Sequence, residues 1–448
     1  MIAHARAAAL TALCEINTER YDLPAAIARV RPALHDERDR ALATDMVTGA
    51  LRWQQQLDHL IARAAKRPVA RLDFEVLQIL RLGAYQLIHL DRVPASAAVN
   101  DAVAMTRRAG KSSAAGLVNA VLRSIARSRN NLPLPSREAG LTYLEVSLSH
   151  PLWLAERWLK RYGFAATESW EWFNNTAAPL TIRVNSLKTT GLALIEALAL
   201  HGVEIAPARF APDAFTVRSG NPLRTPLAGS GLFFLQDEAS QLVSLLAAVE
   251  PGMRVLDACA SPGGKTIAMA AASGDQANIA AADVRTARVQ LLRETVRSSG
   301  AKGVRILQAD LAFGLPFGAV FDLVFADVPC SGLGIIRRDP DIRWRRTEAD
   351  LAILAKAQIA MIRHAAEAVR PGGRLIYATC SSEPDENDEV VSEFLRTNAL
   401  FRAIDLRTDR PAKYAALEPV LDDSGMLRTL PDKHGLEAFF GAVLRRER

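Results

Sequence analysis

Arg254-Val-Leu-Asp-Ala-Cys-Ala-Ser-Pro-Gly-Gly-Lys-Thr266 runs from a short apolar stretch through a glycine pair into a helical pattern. Further short apolar runs follow at Asn278–Val284, Val304–Asp310, Phe321–Asp327 and Arg374–Thr379. Between them lie stretches with helical spacing, Lys265–Ala272, Thr286–Ser299 and Glu348–Val369. Strand alternating with helix implies a parallel sheet covered by helices on both faces. Ala438–Leu444 adds an expected final strand. In such a sheet the loop at 257–266 lies at the carboxyl edge, where ligands bind.

Three ligand readings compete for that loop. A phosphate-binding Walker A loop needs glycine where Cys259 stands, although Gly264-Lys265-Thr266 fits its second half and Phe321–Asp327 resembles a Walker B strand. A nicotinamide fingerprint fails, because no G-x-G-x-x-G is present. The third reading is a nucleoside-carrying methyl donor, S-adenosylmethionine. Asp283 closes the second strand, where a carboxylate can take ribose hydroxyls, and Asp310 closes the third, within reach of an adenine amino group. Single aspartates at such places often only cap a helix or turn. Acids at consecutive strand ends favour a ligand.

Two of the four cysteines also stand where apolar runs stop, Cys330 after Asp327-Val-Pro and Cys380 after Tyr377-Ala-Thr. A structural cysteine is ordinarily a small buried hydrophobe inside such a run. Carbon 5 of cytosine is a poor nucleophile until a thiolate adds to carbon 6. A carboxyl at ring nitrogen 3 assists the addition, and a base or second thiol assists release. Cys380, Cys330 and Asp327 supply those groups, and nothing in the spacing tells which thiol attacks.

Upstream, residues 140–240 read as a small α+β module. Its expected elements are a helix opening at Ser149–Trp158, strands at Leu180–Asn185, Val203–Ala206 and Ala214–Val217, and a helix at Leu192–His201. Residues 1–135 read as helices at Ala7–Ile16, Ala41–Ala65, Phe74–Leu90, Ala95–Ala109 and Ala114–Ile125, with Pro32, Pro68, Pro94 and Gly110 between them. Those 135 residues carry 19 Lys and Arg against 12 Asp and Glu, while the remainder carries 36 against 37. The basic excess of the chain therefore sits in the helical part and points to a polyanion partner there.

With 448 residues, 49% of them hydrophobic, the chain can bury cores for two or three domains. No apolar run reaches the ~18 residues that would span a bilayer, and the N-terminus has no signal pattern. Cysteines at 14, 259, 330 and 380 form no disulfide framework, so a reducing cytoplasm is expected. The eight histidines show no metal-site spacing, and no metal is expected. Without a heptad pattern, a monomer is expected.

Asp257–Thr266, Asp327-Val-Pro-Cys-Ser-Gly-Leu-Gly334 and Tyr377-Ala-Thr-Cys-Ser-Ser382 resemble the RNA 5-methylcytosine methyltransferases of the NOL1/NOP2/Sun group. Ile335–Trp344 and Pro384-Asp-Glu-Asn387 continue the match. Leu77–Tyr85, Val99–Val103 and Leu117–Leu122 resemble NusB, an RNA-binding antitermination factor. The resemblance implies three domains: NusB-like at 1–135, an RNA-binding α+β module at 140–240, and a Rossmann-like methyltransferase at 241–448. It implies that Cys259, Ala260, Ser261, Pro262, Gly263, Gly264 and Lys265 wrap the methionine part of S-adenosylmethionine. Asp283 would hold the ribose, Asp310 the adenine side, and Asp327 would border donor and cytosine. It names Cys380 as nucleophile and Cys330 as the residue assisting release, with free 16S rRNA as substrate before subunit assembly. Arg183–Lys188 and Gln236–Gln241 resemble the family's RNA-contacting segment. One departure is His434-Gly-Leu-Glu-Ala-Phe-Phe440, where the family tends to Asp-Gly-Phe-Phe. The rival readings are a P-loop-like nucleotide hydrolase and a non-catalytic rRNA-binding assembly factor.

Overall fold

A computed structural model describes residues 4–409 and 411–447. The chain divides into two compact units, residues 1–177 with 336–348, and 178–335 with 349–448.

The first unit is helical. Its helices span His4–Asn17, Leu23–Val30, Glu37–Arg52, Gln54–Ala65, Phe74–His89, Ala95–Arg108 and Ala115–Ser128. Their apolar faces meet in one core that includes Leu13, Met46, Leu57, Ile79, Leu80, Val118 and Leu122. Local chemistry sets the boundaries. Asp73 accepts from the backbone N–H groups of Glu75 and Val76, capping Phe74–His89. The helix expected over Ala41–Ala65 is two, broken at Trp53, whose backbone (φ −105°, ψ 18°) leaves the helical region. Leu23–Val30 was not anticipated from periodicity; it is short, and it starts on an Asp22 cap with Pro24 in its first turn.

Helix Leu152–Asn175, bent where Gly163 takes φ 77°, also belongs to this unit. So does the segment Ile336–Glu348, although the sequence places it after the Cys330 loop. Three side chains anchor the segment there. Asp341 accepts from the Leu23 N–H (3.2 Å), and Trp344 Nε1 donates to the Leu51 carbonyl (2.6 Å). Arg343 is fully buried and donates to the Ser149 carbonyl (2.8 Å) and Asn175 Oδ1 (3.1 Å). Burial, with the Arg52 charge adding, lowers the Arg343 guanidinium to about 9 against the pull of Glu171. The division of the sequence at 135 and 240 stays a proposal, since compactness groups the chain otherwise.

The second unit holds two sheets. Strands β1 (Thr181–Val184), β2 (Glu204–Pro207), β3 (Ala214–Ser219) and β4 (Phe233–Leu235) form an antiparallel sheet in the order β2-β3-β1-β4. Helix Gly191–Ala199 buries Leu194 and Leu198 against Ile182, Val184 and Ile205 of that sheet. The α+β expectation holds, with β4 as an addition too short to carry a periodic signal.

The larger sheet has eight strands. They are β5 (Arg254–Asp257), β6 (Asn278–Asp283), β7 (Val304–Gln308), β8 (Phe321–Asp327), β9 (Val369–Thr379), β10 (Phe401–Ala403), β11 (Leu427–Thr429) and β12 (Phe439–Arg446). The order is β10-β12-β9-β8-β5-β6-β7, with β11 beside β12. Pairings from β9 through β7 are parallel, and β12 runs antiparallel to β9. The expected doubly wound core is present. Strands β5 and β8 are buried almost throughout, which is why they read as apolar runs rather than as alternation. The first strand, β5, has β6 on one side and β8 on the other, so the chain reverses its winding there. The carboxyl edge beside that reversal is the crevice of the fold.

Candidate active site

The register brings the singled-out residues to that edge. Asp257 pairs with Ala281 and Phe325, and Asp327 pairs with Ala378, one residue before Thr379 closes β9. Cys330 and Cys380 thus leave neighbouring parallel strands at the same end. Their sulfurs lie 3.2 Å apart, both thiols half-buried.

Gly334 ties the two cysteine loops together. Its N–H donates to the Cys380 carbonyl (3.0 Å), and its carbonyl accepts from the Ala438 N–H (2.9 Å). A Cβ at this position would stand 2.7 Å from the Cys380 carbonyl oxygen, so only glycine fits. Phe439 and Phe440, the part of the C-terminal motif that departs from the family in its preceding residues, lie in β12. Phe440 is fully buried, edge-on to Tyr377.

Electrostatics keep two of the cysteines protonated and pair a lysine. The hydrogen bond to Cys380 comes first, burial second, in pushing the Cys330 thiol well above its ordinary range; the Cys380 and Glu386 charges add to it. Cys330 therefore keeps its proton. Burial, then the charges of Asp257, Asp327 and Asp283, does the same to Cys259. Lys265 Nζ lies 2.6 Å from Asp327 Oδ2. Burial alone would lower the Lys265 ammonium, but the Asp327 charge and hydrogen bond outweigh it, with Cys380 and Asp257 adding, and the net shift is upward. Lys265, expected only as part of the cofactor loop, thus also faces the Asp327 carboxylate. Two sequence signals were present, but nothing in them showed that they pair.

The loop itself is held from below and from the side. Thr266 Oγ1 donates to Asp257 Oδ2 (2.6 Å), and burial pushes Asp257 up to about 7 in spite of that bond. Gly263 takes φ 106°, a region that glycine enters freely. Asp283, nearly fully buried, accepts from the Ser261 N–H (3.1 Å) and so faces the loop from the end of β6. Asp310 accepts from the Ala312 N–H (2.9 Å), so the capping role weighed for it is at least part of what it does. Arg183, read in the sequence only as part of an RNA-contacting segment, is buried; it donates to Gln236 Oε1 (2.6 Å) and to the Gly264 carbonyl. It joins the small sheet to the first turn of the helix that follows the loop.

Similarity to known proteins assigns the chain to a family. Residues 243–445 match the family described as 16S rRNA methyltransferase RsmB/F. Residues 3–127 match the NusB family, and 150–224 the ferredoxin-like domain of RsmF/B-like methyltransferases. The ribosomal RNA small subunit methyltransferase B of Pseudomonas putida is 35% identical over 413 residues, covering 91% of each chain. The chain belongs to the RsmB/F family of 16S rRNA methyltransferases.

In Bacillus subtilis a probable ribosomal RNA small subunit methyltransferase B is 32% identical over 92% of this chain and 91% of its own. Among solved structures, PH0851 has a TM-score of 0.82 at 25% identity, covering 99% of this chain and 98% of its own. A methyltransferase homolog from Pyrococcus horikoshii has a TM-score of 0.58 at 26% identity, covering 69% of this chain and 99% of its own. The methyl donor of the RsmB/F family is S-adenosylmethionine. The loop fits that molecule better than a polyphosphate. Its lysine is engaged by Asp327, and the carboxylates of Asp257, Asp283 and Asp327 surround Cys259. With Lys265 already paired and Asp283 at the next strand end, the setting suits a ribose better than a phosphate. No helix among the described residues is long and apolar enough to cross a membrane.

Proposed function

We propose that this RsmB/F methyltransferase methylates carbon 5 of a specific cytosine in 16S rRNA through a covalent bond between Cys380 and carbon 6. The observation that carries the reading is the 3.2 Å approach of Cys330 and Cys380 beside the Lys265–Asp327 pair. Methylation at oxygen or at an exocyclic nitrogen needs no thiol pair.

The chain's own groups divide the work. The Cys380 thiolate adds to carbon 6, and the electron pair of the ring moves to nitrogen 3. Asp327, hydrogen-bonded by the Lys265 ammonium, faces that nitrogen and relays to it a proton drawn from Lys265, which returns when the adduct breaks down. S-adenosylmethionine, held by Cys259–Lys265 with Asp283 at the ribose and Asp310 at the adenine, supplies an electrophilic methyl. The proton at carbon 5 passes to a water molecule acting as base, its bonding pair forms the carbon 5–carbon 6 double bond, and the sulfur–carbon 6 bond breaks with its electron pair returning to Cys380. Cys330 retains a hydrogen to offer the departing sulfur, which supports its assignment to release.

The reading takes free 16S rRNA as substrate, a monomer as the working species and the cytoplasm as compartment. The basic excess of residues 1–135 supports a phosphate-binding role for the helical part. The target base must be unstacked, because carbon 6 is reached from the ring face. Bisulfite sequencing of 16S rRNA from a deletion strain and its parent tests the proposal. One cytosine protected in the parent and converted in the deletion strain is expected; identical patterns contradict it.

A further inference from the structure

Beneath the two thiols lies a buried carboxylate that the mechanism above does not use. Glu386 is fully buried, in the short turn Pro384–Glu386 that follows the Cys380 loop. Its Oε1 accepts from the Ser331 backbone N–H (2.8 Å) and from Gln358 Nε2 (3.0 Å). Its Oε2 accepts from the hydroxyls of both Ser331 and Ser381, which are themselves 3.1 Å apart. Ser331 follows Cys330 and Ser381 follows Cys380. One carboxylate therefore grips the residue next to each cysteine.

Each serine hydroxyl oxygen also meets a backbone donor. The Ser331 hydroxyl oxygen accepts from the Leu333 N–H (3.3 Å), and that of Ser381 from the Glu383 N–H (3.1 Å). The Ser331 N–H and the Gln358 amide can only donate to Glu386, and each serine hydroxyl lies 2.5 Å from Oε2, placed to donate to it. A carboxylate offers only acceptors and meets this demand; a glutamine amide would turn an NH2 toward a donor. Gln358 strengthens the clamp by donating to the Pro329 carbonyl (3.0 Å), and Asn387 by donating to the Ser381 carbonyl (3.0 Å).

We infer that Glu386 is the positioning residue that holds the Cys330 and Cys380 loops in register, so that both thiols meet one cytosine. The inference rests on the reading of these cysteines as the working pair, and it adds a residue that touches neither substrate nor donor. Loosening the clamp lets the loops part and lowers turnover without touching donor binding. A misplacement of about 1 Å costs ~100-fold in rate.

The test measures the thiol spacing without RNA or donor, so it stands apart from the proposed reaction. The purified full chain is treated with diamide, whose N=N bond takes the two electrons and two protons released as Cys330 and Cys380 join in a disulfide. The linked peptide pair is followed by mass spectrometry. In Glu386→Gln the rate is expected to fall at least ~10-fold, with kcat of methyl transfer reduced by ~100-fold and KM for S-adenosylmethionine unchanged. Crosslinking at the wild-type rate overturns the inference, as does a loss confined to KM. Should Glu386→Gln fail to fold, Ser381→Ala removes one donor alone. It is expected to slow crosslinking in the same direction, and an unaltered rate there overturns the inference equally.

Discussion

Cys380→Ala is expected to abolish methyl transfer and covalent attachment together, while S-adenosylmethionine still binds. Without a nucleophile at carbon 6, carbon 5 has no electron density to offer, and positioning alone cannot replace it. Loss of an enzyme's nucleophile costs on the order of 10⁴-fold or more. The side chain is half-buried at the end of β9, and the change to alanine removes one sulfur from a loop that backbone bonds through Gly334 continue to hold. A folding defect is therefore not the expected cause. Gel-shift under denaturing conditions, donor-binding calorimetry and methyl transfer on the same preparation separate these outcomes. Retained activity in this variant would move the nucleophile to Cys330.

Cys330→Ala is expected to do the opposite: the covalent protein–RNA complex accumulates and survives denaturation. The reason lies in the geometry of the pair. Cys330 keeps its proton, because its hydrogen bond to Cys380, burial and nearby negative charge all oppose its ionisation. At 3.2 Å it can give a hydrogen bond to the Cys380 sulfur as the bond to carbon 6 breaks. A hydrogen bond to a charged group contributes about 1.5–3 kcal/mol, which corresponds to a roughly 10- to 150-fold slower elimination when it is lost. Adduct formation is spared, so the intermediate builds up. A denaturing gel of Cys330→Ala incubated with 16S rRNA and donor shows a slowly migrating band if this account holds, and none if Cys330 forms the bond itself.

The sheet was legible because its central strands, β5 and β8 among them, are buried on both faces. Parallel strands of this kind appear as unbroken apolar runs, and the polar residue that ends each run marks the functional edge. Asp257, Asp283, Asp327 and Cys380 could all be placed there from the sequence. The pairings across that edge could not. Lys265 and Asp327 are 62 positions apart, and Glu386 reaches Ser331 across 55. A buried glutamate in a turn looks, in sequence, like a solvated acidic residue. The segment 336–348 was equally opaque. It carries part of the family match, yet nothing in its residues showed that Arg343 is buried among helices, where its guanidinium finds the Ser149 carbonyl and Asn175. Short elements such as β4, β10 and β11 have too few residues for any period to register.

The central claim is that the methyl group arrives at carbon 5 of cytosine, and one measurement addresses it directly. Unmodified 16S rRNA carrying tritium at carbon 5 of its cytosines is incubated with the enzyme and S-adenosylmethionine, and tritium released to water is counted against methyl groups transferred. The account predicts one tritium released for each methyl gained, because the substituent at carbon 5 must leave. Methyl transfer with no release of tritium would place the methyl elsewhere on the RNA and contradict it.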